Sequence, residues 1–451
     1  MLRKWLQTLK KYLTNTPVYT LRKRCKGMSA VWWYGNPARD MTVIGITGTD
    51  GKTTTSRLIH HLLTSAGYTT AFFGTTGARI GTTPATGVQK MTSYDPRDLQ
   101  RLLRQAKRAG CTHLVVEVSS HALIQQRFLW VRFTAAGITN IAPEHLDYHK
   151  TMEAYQEAKK LLFTQLIRSR WSLLVFPRDQ PIGRQRYEQL AADAHAHGVA
   201  TIITATEQQG EKLAAQLTPP PTGSCSATDI EEHVDHTTYT RQEPNLPIRQ
   251  ILPGRFNVHN ALLAIAIVSW LGVDPQQIAQ AMQTAQPEEG RQRMVEHHGT
   301  KYIIDFAHTP QGLEAVLSYM QRVITQQGNN KVRCLFGAPG ERDPYKRPDM
   351  ARVVERYADE IVVTDDDAAG EDRMQIIRDI HQWFADHEAP HIHTIPDRKE
   401  AIERLVGQVQ PGDIVLLAGK WHERVLVTNA GKIPRSDQDV LARAVAKVTS
   451  V

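Results

Sequence analysis

The sequence predicts an α/β protein: a central P-loop ATPase domain with a mostly parallel sheet, plus a C-terminal doubly wound, Rossmann-like domain. Three observations carry this. Strand and helix patterns alternate from residue 42 to about residue 130. The first strand runs into a glycine-punctuated turn, a Lys-Thr pair and an apolar-periodic helix, the parts of a phosphate cradle. From about residue 285 the alternation starts again. The expected domains are 1–40, a basic amphipathic N-terminal segment; 41–284, the central ATP-binding domain; and 285–451, the C-terminal domain.

Composition narrows the class. A chain of 451 residues with 41% hydrophobic and 22% charged residues can bury two or three cores. No apolar run approaches the roughly 18 residues of a spanning helix, and no signal-peptide h-region opens the chain. Cys25, Cys111, Cys225 and Cys334 are widely spaced, which argues against a disulfide framework or zinc ribbon and fits a reducing cytosol. Residues 1–40 hold nine Lys and Arg against one acid, Asp40, and so carry the whole formal charge of +8. The basic pI belongs to that segment, and no nucleic-acid partner is expected for the main body.

In chain order, Leu2, Trp5, Leu6, Leu9 and Leu13 fall at helical spacing among basic residues, and Val31-Trp32-Trp33-Tyr34 follows. This segment reads either as an interfacial helix making peripheral membrane contact or as a packed helix with a solvated basic face. Residues 42–47 read as a buried strand, followed by the loop Gly48-Thr49-Asp50-Gly51-Lys52-Thr53-Thr54 and a helix over 53–66. The loop is tighter than the usual G-x-x-x-x-G-K-[ST]. Its glycines let backbone N–H groups approach phosphates, Lys52 reaches the β/γ-phosphates, and the Thr53 hydroxyl sits on Mg²⁺. Further strands are expected at 70–74 and 113–118 and a helix at 95–109. Glu117, at the carboxyl end of its strand, is a candidate Mg²⁺ ligand. Residues 135–141 form another strand, after which Glu144, His145, Asp147 and His149 cluster at the same sheet edge, suited to a second metal or a phosphate contact. A helix over 152–168 carries Lys159 and Lys160, which spacing alone does not distinguish from solvated lysines.

Residues 170–250 are less regular, with a Pro-rich loop near 219–224 and edge strands expected within 227–252. An apolar helix then opens at Arg255-Phe256-Asn257-Val258-His259-Asn260. Asn257 and Asn260 share one face of its first turn, where they contact a nucleotide base or cap the helix. In the second domain, strands are expected at 302–305, 332–337, 360–364 and 413–418. Asp305, His308, Arg342, Asp343, Lys346 and Lys420 follow strands, at the edge where ligands bind.

These blocks, in this order from about 41 to 430, resemble the Mur ligase family, closest to the branch that adds the third residue to UDP-N-acetylmuramoyl-dipeptide. The blocks are Gly48 to Thr54, Glu117 to Arg127, Thr139 to His149, Ala158-Lys159, Leu252 to Asn260, Asp305 to Pro310, Arg342 to Pro348 and Ala418 to Glu423. The resemblance implies that an acceptor carboxylate attacks the ATP γ-phosphate to give an acyl phosphate, which an amine converts to an amide. It implies metal ligands at Thr53, Glu117 and His145, and a carbamylated Lys159 able to hold a second Mg²⁺. Lys52, Glu117, His145 and Lys159 are then the catalytic set. The nucleotide set is Gly48, Thr49, Asp50, Gly51, Lys52, Thr53, Thr54, Asn257, Asn260, Arg291, Asp305 and His308. Thr92, Ser93, Ser119, Gln125 and Arg127 match acceptor contacts. Arg342, Asp366, Asp367, Ala368, Ala369, Gly419 and Glu423 match amino-acid contacts, making 285–451 the amino-acid-binding domain. The expected partners are ATP, a muramyl-peptide-like acceptor and an amino acid, the expected cofactors ATP and Mg²⁺, and the expected state a cytoplasmic monomer, at the inner membrane face if residues 1–40 bind lipid.

Two departures stand out. Only 40 residues precede the first strand, where the family has a larger UDP-gripping domain, so a lipid-linked acceptor is an alternative to a UDP-linked one. The family's Asp-Asn-Pro-Arg is here Asp366-Asp367-Ala368-Ala369, without the Arg that pairs with a distal carboxylate; this acidic loop favours a diamine such as lysine or ornithine. Competing readings are an amide ligase of folylpolyglutamate or cyanophycin type, and a non-catalytic nucleotide-binding scaffold.

Overall fold

The computed structural model describes residues 17–86, 91–166, 172–177, 184–206, 221–287, 292–325, 328, 330–341, 343–386, 388–420, 425–428, 431–434 and 436–448. Arg291, Arg342 and Glu423, and the helix expected over residues 2–13, lie outside these.

Two sheets organise the chain. The first has eleven strands in the order β11-β10-β9-β8-β7-β6-β1-β5-β2-β3-β4. They are β1 Thr42–Thr47, β2 Thr70–Gly74, β3 Gly77–Ile80, β4 Thr83–Pro84, β5 His113–Glu117, β6 Ala135–Ile138, β7 Leu173–Pro177, β8 Ala200–Ala205, β9 Gly223–Glu232, β10 Thr237–Arg241 and β11 Leu246–Gln250. Strands β2, β5, β1, β6, β7, β8 and β9 pair in parallel. The edges β3, β4, β10 and β11 are antiparallel. The edge strands expected within 227–252 are therefore extensions of the same sheet, running antiparallel at its rim.

The central strand β1 is buried from Val43 to Thr47 and flanked by β5 and β6, with Ile46 opposite Glu117 and Thr47 opposite Ile138. Three loops therefore leave one sheet edge side by side: the glycine loop, the loop after Glu117 and the loop after Ile138. Residue 45 must be glycine, since a Cβ there would sit 2.7 Å from the Phe133 ring. One sheet face is covered by the helix Pro96–Arg108 through Leu99, Leu102 and Leu103. The other is covered by the helices Lys52–Ser65 and Arg255–Trp270. The latter is apolar on all sides and buried from Asn260 to Val268, as expected of a helix enclosed by a core. The helix expected over 152–168 is instead two pieces among its described residues, Met152–Lys160 and Phe163–Leu166.

The second sheet has the order β12-β13-β17-β14-β15-β16, from β12 Arg293–His297, β13 Thr300–Asp305, β14 Val332–Phe336, β15 Glu360–Val363, β16 Ile392–Thr394 and β17 Ile414–Ala418. Only β12 runs antiparallel. Helices on both faces close two further apolar cores. Strands β18 Val425–Thr428 and β19 Gly431–Pro434 form a separate hairpin. At the sheet's carboxyl edge, the fully buried Arg398 forks onto Asp437 at 2.7 Å and also bonds the carbonyls of Ala418 and Asp365. Among the described residues no helix is long and apolar enough to cross a membrane.

Candidate active site

The glycine loop is built around carbonyl and amide contacts that side chains would block. Gly51 adopts φ +79°, and a Cβ there would lie 2.3 Å from Asn260 Oδ1; at Gly48 it would lie 1.9 Å from Thr139 Oγ1. The loop is pinned from β6. Asn140 Oδ1 accepts from the Asp50 amide at 2.9 Å, and the Asn140 side-chain amide returns a bond to the Asp50 carbonyl at 3.2 Å. Thr49 Oγ1 accepts from the Ala142 amide at 2.9 Å and lies 3.1 Å from the Tyr155 hydroxyl.

Lys52 and Lys159 converge on this loop. Lys52 Nζ donates to the carbonyls of Gly48 at 2.9 Å and Thr49 at 2.6 Å. Lys159 Nζ, fully buried, donates to the same Gly48 oxygen at 2.7 Å and lies 4.3 Å over the Tyr155 ring. Burial, reinforced by the Lys52 charge, holds the Lys159 amine well below the ordinary lysine range.

Glu117 is completely buried. It accepts from Thr53 Oγ1 at 3.1 Å, from Thr75 Oγ1 at 2.8 Å and from the Thr75 amide at 3.0 Å. Burial raises its pKa, opposed by Thr75, Lys52 and Thr53. A Cβ on Gly74 would come within 2.2 Å of its Oε1, so that glycine keeps the carboxylate's place open. Among the described residues no three His, Cys, Asp or Glu side chains converge as a metal site. The donors here are instead one buried carboxylate and a threonine hydroxyl. That oxygen set fits Mg²⁺, which keeps several waters and takes substrate phosphates as its remaining ligands. His145 Nε2 is 3.5 Å from Glu144, and its ring packs against His121 and Tyr155. His121 is held neutral, its pKa near 3, by burial and then by His145, His149 and Arg127.

The five residues matched to acceptor contacts form one network. The Thr92 and Thr75 hydroxyl oxygens lie 3.0 Å apart. Ser93 Oγ donates to the Glu117 carbonyl at 3.0 Å and accepts from the Ser119 amide at 3.0 Å. Arg127 donates to the Ser93 carbonyl at 2.7 Å and forks onto Gln125 Oε1 at 3.0 and 2.7 Å. Glu117 thus couples the phosphate loop to this network through Thr75.

A cavity of about 180 Å³ lies between the two sheets, walled by Asp50, Gly51 and Thr54 on one side and by Gln292, Asp305 and Gly312 on the other. Asn257 and Asn260 line it. Neither side chain caps its helix: Asn257 Nδ2 donates to the Pro253 carbonyl at 2.8 Å and to Gln292, and Asn260 Oδ1 accepts from Thr55 at 3.3 Å. The capping alternative therefore falls. Asp305 spends both oxygens on backbone amides, those of Gln292 and Ala307, each at 2.8 Å, so it shapes the far wall. Two further contacts cross the cleft. Thr309 Oγ1 donates to Asp50 Oδ2 at 3.0 Å, and His308 Nε2 lies 3.5 Å from Glu144. Burial pushes the Glu144 carboxyl up, but His308, His145 and Lys52 more than offset it and hold it below the usual range.

The acidic loop differs from expectation. Asp366 and Asp367 are both paired with Lys420, the former at 3.4 Å, and Arg373 lies 3.6 Å from Asp365. Lys420 and Arg398 hold the Asp366 carboxyl below its ordinary range against the effect of burial. The loop is a balanced cluster of both signs, because the compensating lysine arrives from the end of β17. Ala368 is buried, Ala369 takes φ +50°, and Gly419 turns at φ +94° with its Cβ position 2.8 Å from Asp366. The sequence reading missed Thr75, Asn140 and Gln292 as parts of the site. Thr75 and Asn140 follow parallel strands, a signal that would have found them.

A glycine loop at the centre of a parallel sheet, two lysines on one carbonyl with one of them buried, and a cavity closed by a second Rossmann-like sheet define a two-domain P-loop enzyme. The Mur ligase middle domain matches residues 46–268, and the Mur ligase glutamate ligase domain matches residues 290–421. A UDP-N-acetylmuramoyl-L-alanyl-D-glutamate–2,6-diaminopimelate ligase of Geobacillus thermodenitrificans is 34% identical over 96% of this chain and 85% of that protein. One of the same name from Chromobacterium violaceum is 35% identical over 95% and 82%. A solved structure of a ligase with that name superimposes with TM-score 0.62 at 28% identity, covering 91% of this chain and 79% of that one. Mycobacterium tuberculosis folylpolyglutamate synthase, at TM-score 0.67 and 16% identity over 97% and 98% of the two chains, shares the fold. The chain belongs to the Mur ligase family, and it is an ATP-dependent acid–amino-acid ligase.

Proposed function

We propose that this ligase adds a diamino acid to a muramyl-dipeptide-like cell-wall precursor. The observation that carries the reading is the connected chain Lys52–Gly48–Lys159 and Thr53–Glu117–Thr75–Thr92, which joins a phosphate loop to a polar acceptor network. The acceptor carboxylate attacks the ATP γ-phosphate, forming an acyl phosphate and ADP. The amine attacks the acyl carbon, and the tetrahedral intermediate expels phosphate. Lys52 and the loop amides offset charge on the transferring phosphoryl group. Arg127, held by Gln125 and Ser93, orients the acceptor. Thr53 and Glu117 would hold Mg²⁺, which supplies positive charge at the phosphates when bound. Lys159 is proposed to carry a carbamate, since a neutral buried amine is the form that adds CO₂. His145, Arg291 and His308 remain proposed ligand contacts, with Arg342 and Glu423 on the amino-acid side.

The Asp366–Asp367–Lys420 cluster presents both signs, which suits an amino-acid end carrying both an ammonium and a carboxylate as well as a lone ammonium. The test is phosphate release with UDP-N-acetylmuramoyl-L-Ala-D-Glu and ATP, screening meso-diaminopimelate, L-lysine and L-ornithine. Release that requires both acceptor and a diamino acid is expected. Release independent of either, or none with any pair, overturns the reading.

A further inference from the structure

The helix Pro17–Tyr34 packs on Pro96–Arg108. Together they hold nine Lys and Arg against one acid, Asp98. Trp32 and Trp33, at the end of the first helix, are 83% and 71% exposed. They border a shallow groove of about 610 Å³ whose floor carries Arg101, Arg104 and Arg108 and no acid. Arg104 donates to the Trp33 and Tyr34 carbonyls at 3.5 and 3.4 Å, which ties the end of the first helix to the arginine-bearing one. Lys26, Lys107 and Arg101 meet Asp95, Asp40 and Asp98, so most of the groove's unneutralised charge comes from Arg104 and Arg108.

Two adjacent tryptophans left in water beside arginine forks match a phospholipid surface. Indole rings favour the headgroup level, and guanidinium pairs bidentately with phosphate. We propose that this face docks the protein on an anionic bilayer, with Trp32 and Trp33 at headgroup depth and the three arginines on lipid phosphates. The same helix touches the acceptor network: Arg24 donates to Gln126, between Gln125 and Arg127, and Lys26 meets Asp95 at 3.0 Å, two residues beyond Ser93. Docking therefore brings the acceptor side of the site to the membrane. That last consequence rests on the ligase reading; the docking does not.

Flotation of the full chain with phosphatidylcholine vesicles, with and without about 30% phosphatidylglycerol, tests it. Capture is expected only with the anionic lipid, weakening between about 0.05 and 0.5 M salt. The double variants W32A/W33A and R101E/R108E should each lower partitioning about tenfold or more, with unchanged circular dichroism. Arg378→Glu, an exposed cation of the second domain, should not. Absence of lipid-dependent capture, or capture that both double variants leave intact, overturns the proposal. So does binding of a single-stranded oligonucleotide with the same variant sensitivity and no vesicle capture. Turnover of the variants on the soluble acceptor is read separately and stays at wild-type level, so failure of docking and failure of the ligase reading are distinguishable.

Discussion

Lys52 and Lys159 donate to one acceptor, the carbonyl oxygen of Gly48, at 2.9 and 2.7 Å. Two ammonium groups so placed repel, and the buried one yields: Lys159 is driven toward its neutral amine by burial and by Lys52. Its folded pKa lies below its unfolded one, so the folded state binds fewer protons in that window and stability rises with pH there. Lys159→Ala should lower turnover about 100-fold or more while the fold persists, by analogy with loss of a charge-stabilising group. Wild-type activity should fall in CO₂-depleted buffer and return with bicarbonate; activity indifferent to both would remove the carbamate from the scheme.

Thr75 supports Glu117 with two bonds and Gly74 leaves it room. Thr75→Val removes the hydroxyl, keeps the shape, and should weaken apparent Mg²⁺ affinity about tenfold or more. Gly74→Ala should do the same by displacing the carboxylate. A Mg²⁺ titration of turnover reads both.

His308 and Thr309 reach across the cleft to Glu144 and Asp50. The Glu144 carboxyl is depressed, so its stabilising contribution is present above the unfolded value near 4.5 and is lost as pH falls through the folded one. His308→Ala should lower stability at neutral pH and shrink the loss seen on acidification, and should raise the KM for ATP. Melting curves from pH 7 to 3 and ATP titrations check the two effects.

Arg398 and Asp437 form a buried pair at the edge of the second sheet. Asp437→Asn leaves the guanidinium uncompensated and should cost about 3–5 kcal/mol, read by urea unfolding. Because Arg398 also holds the Asp365 and Ala418 carbonyls, the KM for the amino acid should rise as well.

His60 is buried and held neutral, its pKa near 4, by desolvation and by Arg57. The unfolded state takes a proton near pH 6.5 that the folded state refuses until about 4, so stability falls as pH drops through that range. Between pH 7 and 5 the loss is on the order of 2 kcal/mol, and His60→Asn should flatten it.

Much of this was legible in one dimension. The strand Thr42–Thr47, its glycine loop and the helix after it obey local rules, and β2, β5 and β6 were legible beside them, whereas β7 and β8 lay in a stretch read as irregular. Thr92, Ser93, Ser119, Gln125 and Arg127, proposed for the acceptor, lie in one hydrogen-bonded network. What escaped was pairing over distance. Asp366 and Asp367 read as bare negative charge because Lys420 stands more than fifty positions away. From spacing alone Asn257 stayed open between a nucleotide contact and a cap, because its partners, Pro253 and Gln292, are set by a turn and by a second domain. The one helix expected over 152–168 is interrupted at Leu161, between Met152–Lys160 and Phe163–Leu166.

The helix Arg255–Trp270 is walled in by apolar neighbours, and it carries Asn257 and Asn260 into the cleft. That side of the cavity cannot be re-cut without disturbing the core behind it. The opposite side, Gln311 and Gly312 on the helix Pro310–Thr325, is only half-buried and bears no such burden. Evolution, or an engineer seeking a different nucleotide, has one mutable bank of the cleft to work on, and it belongs to the second domain.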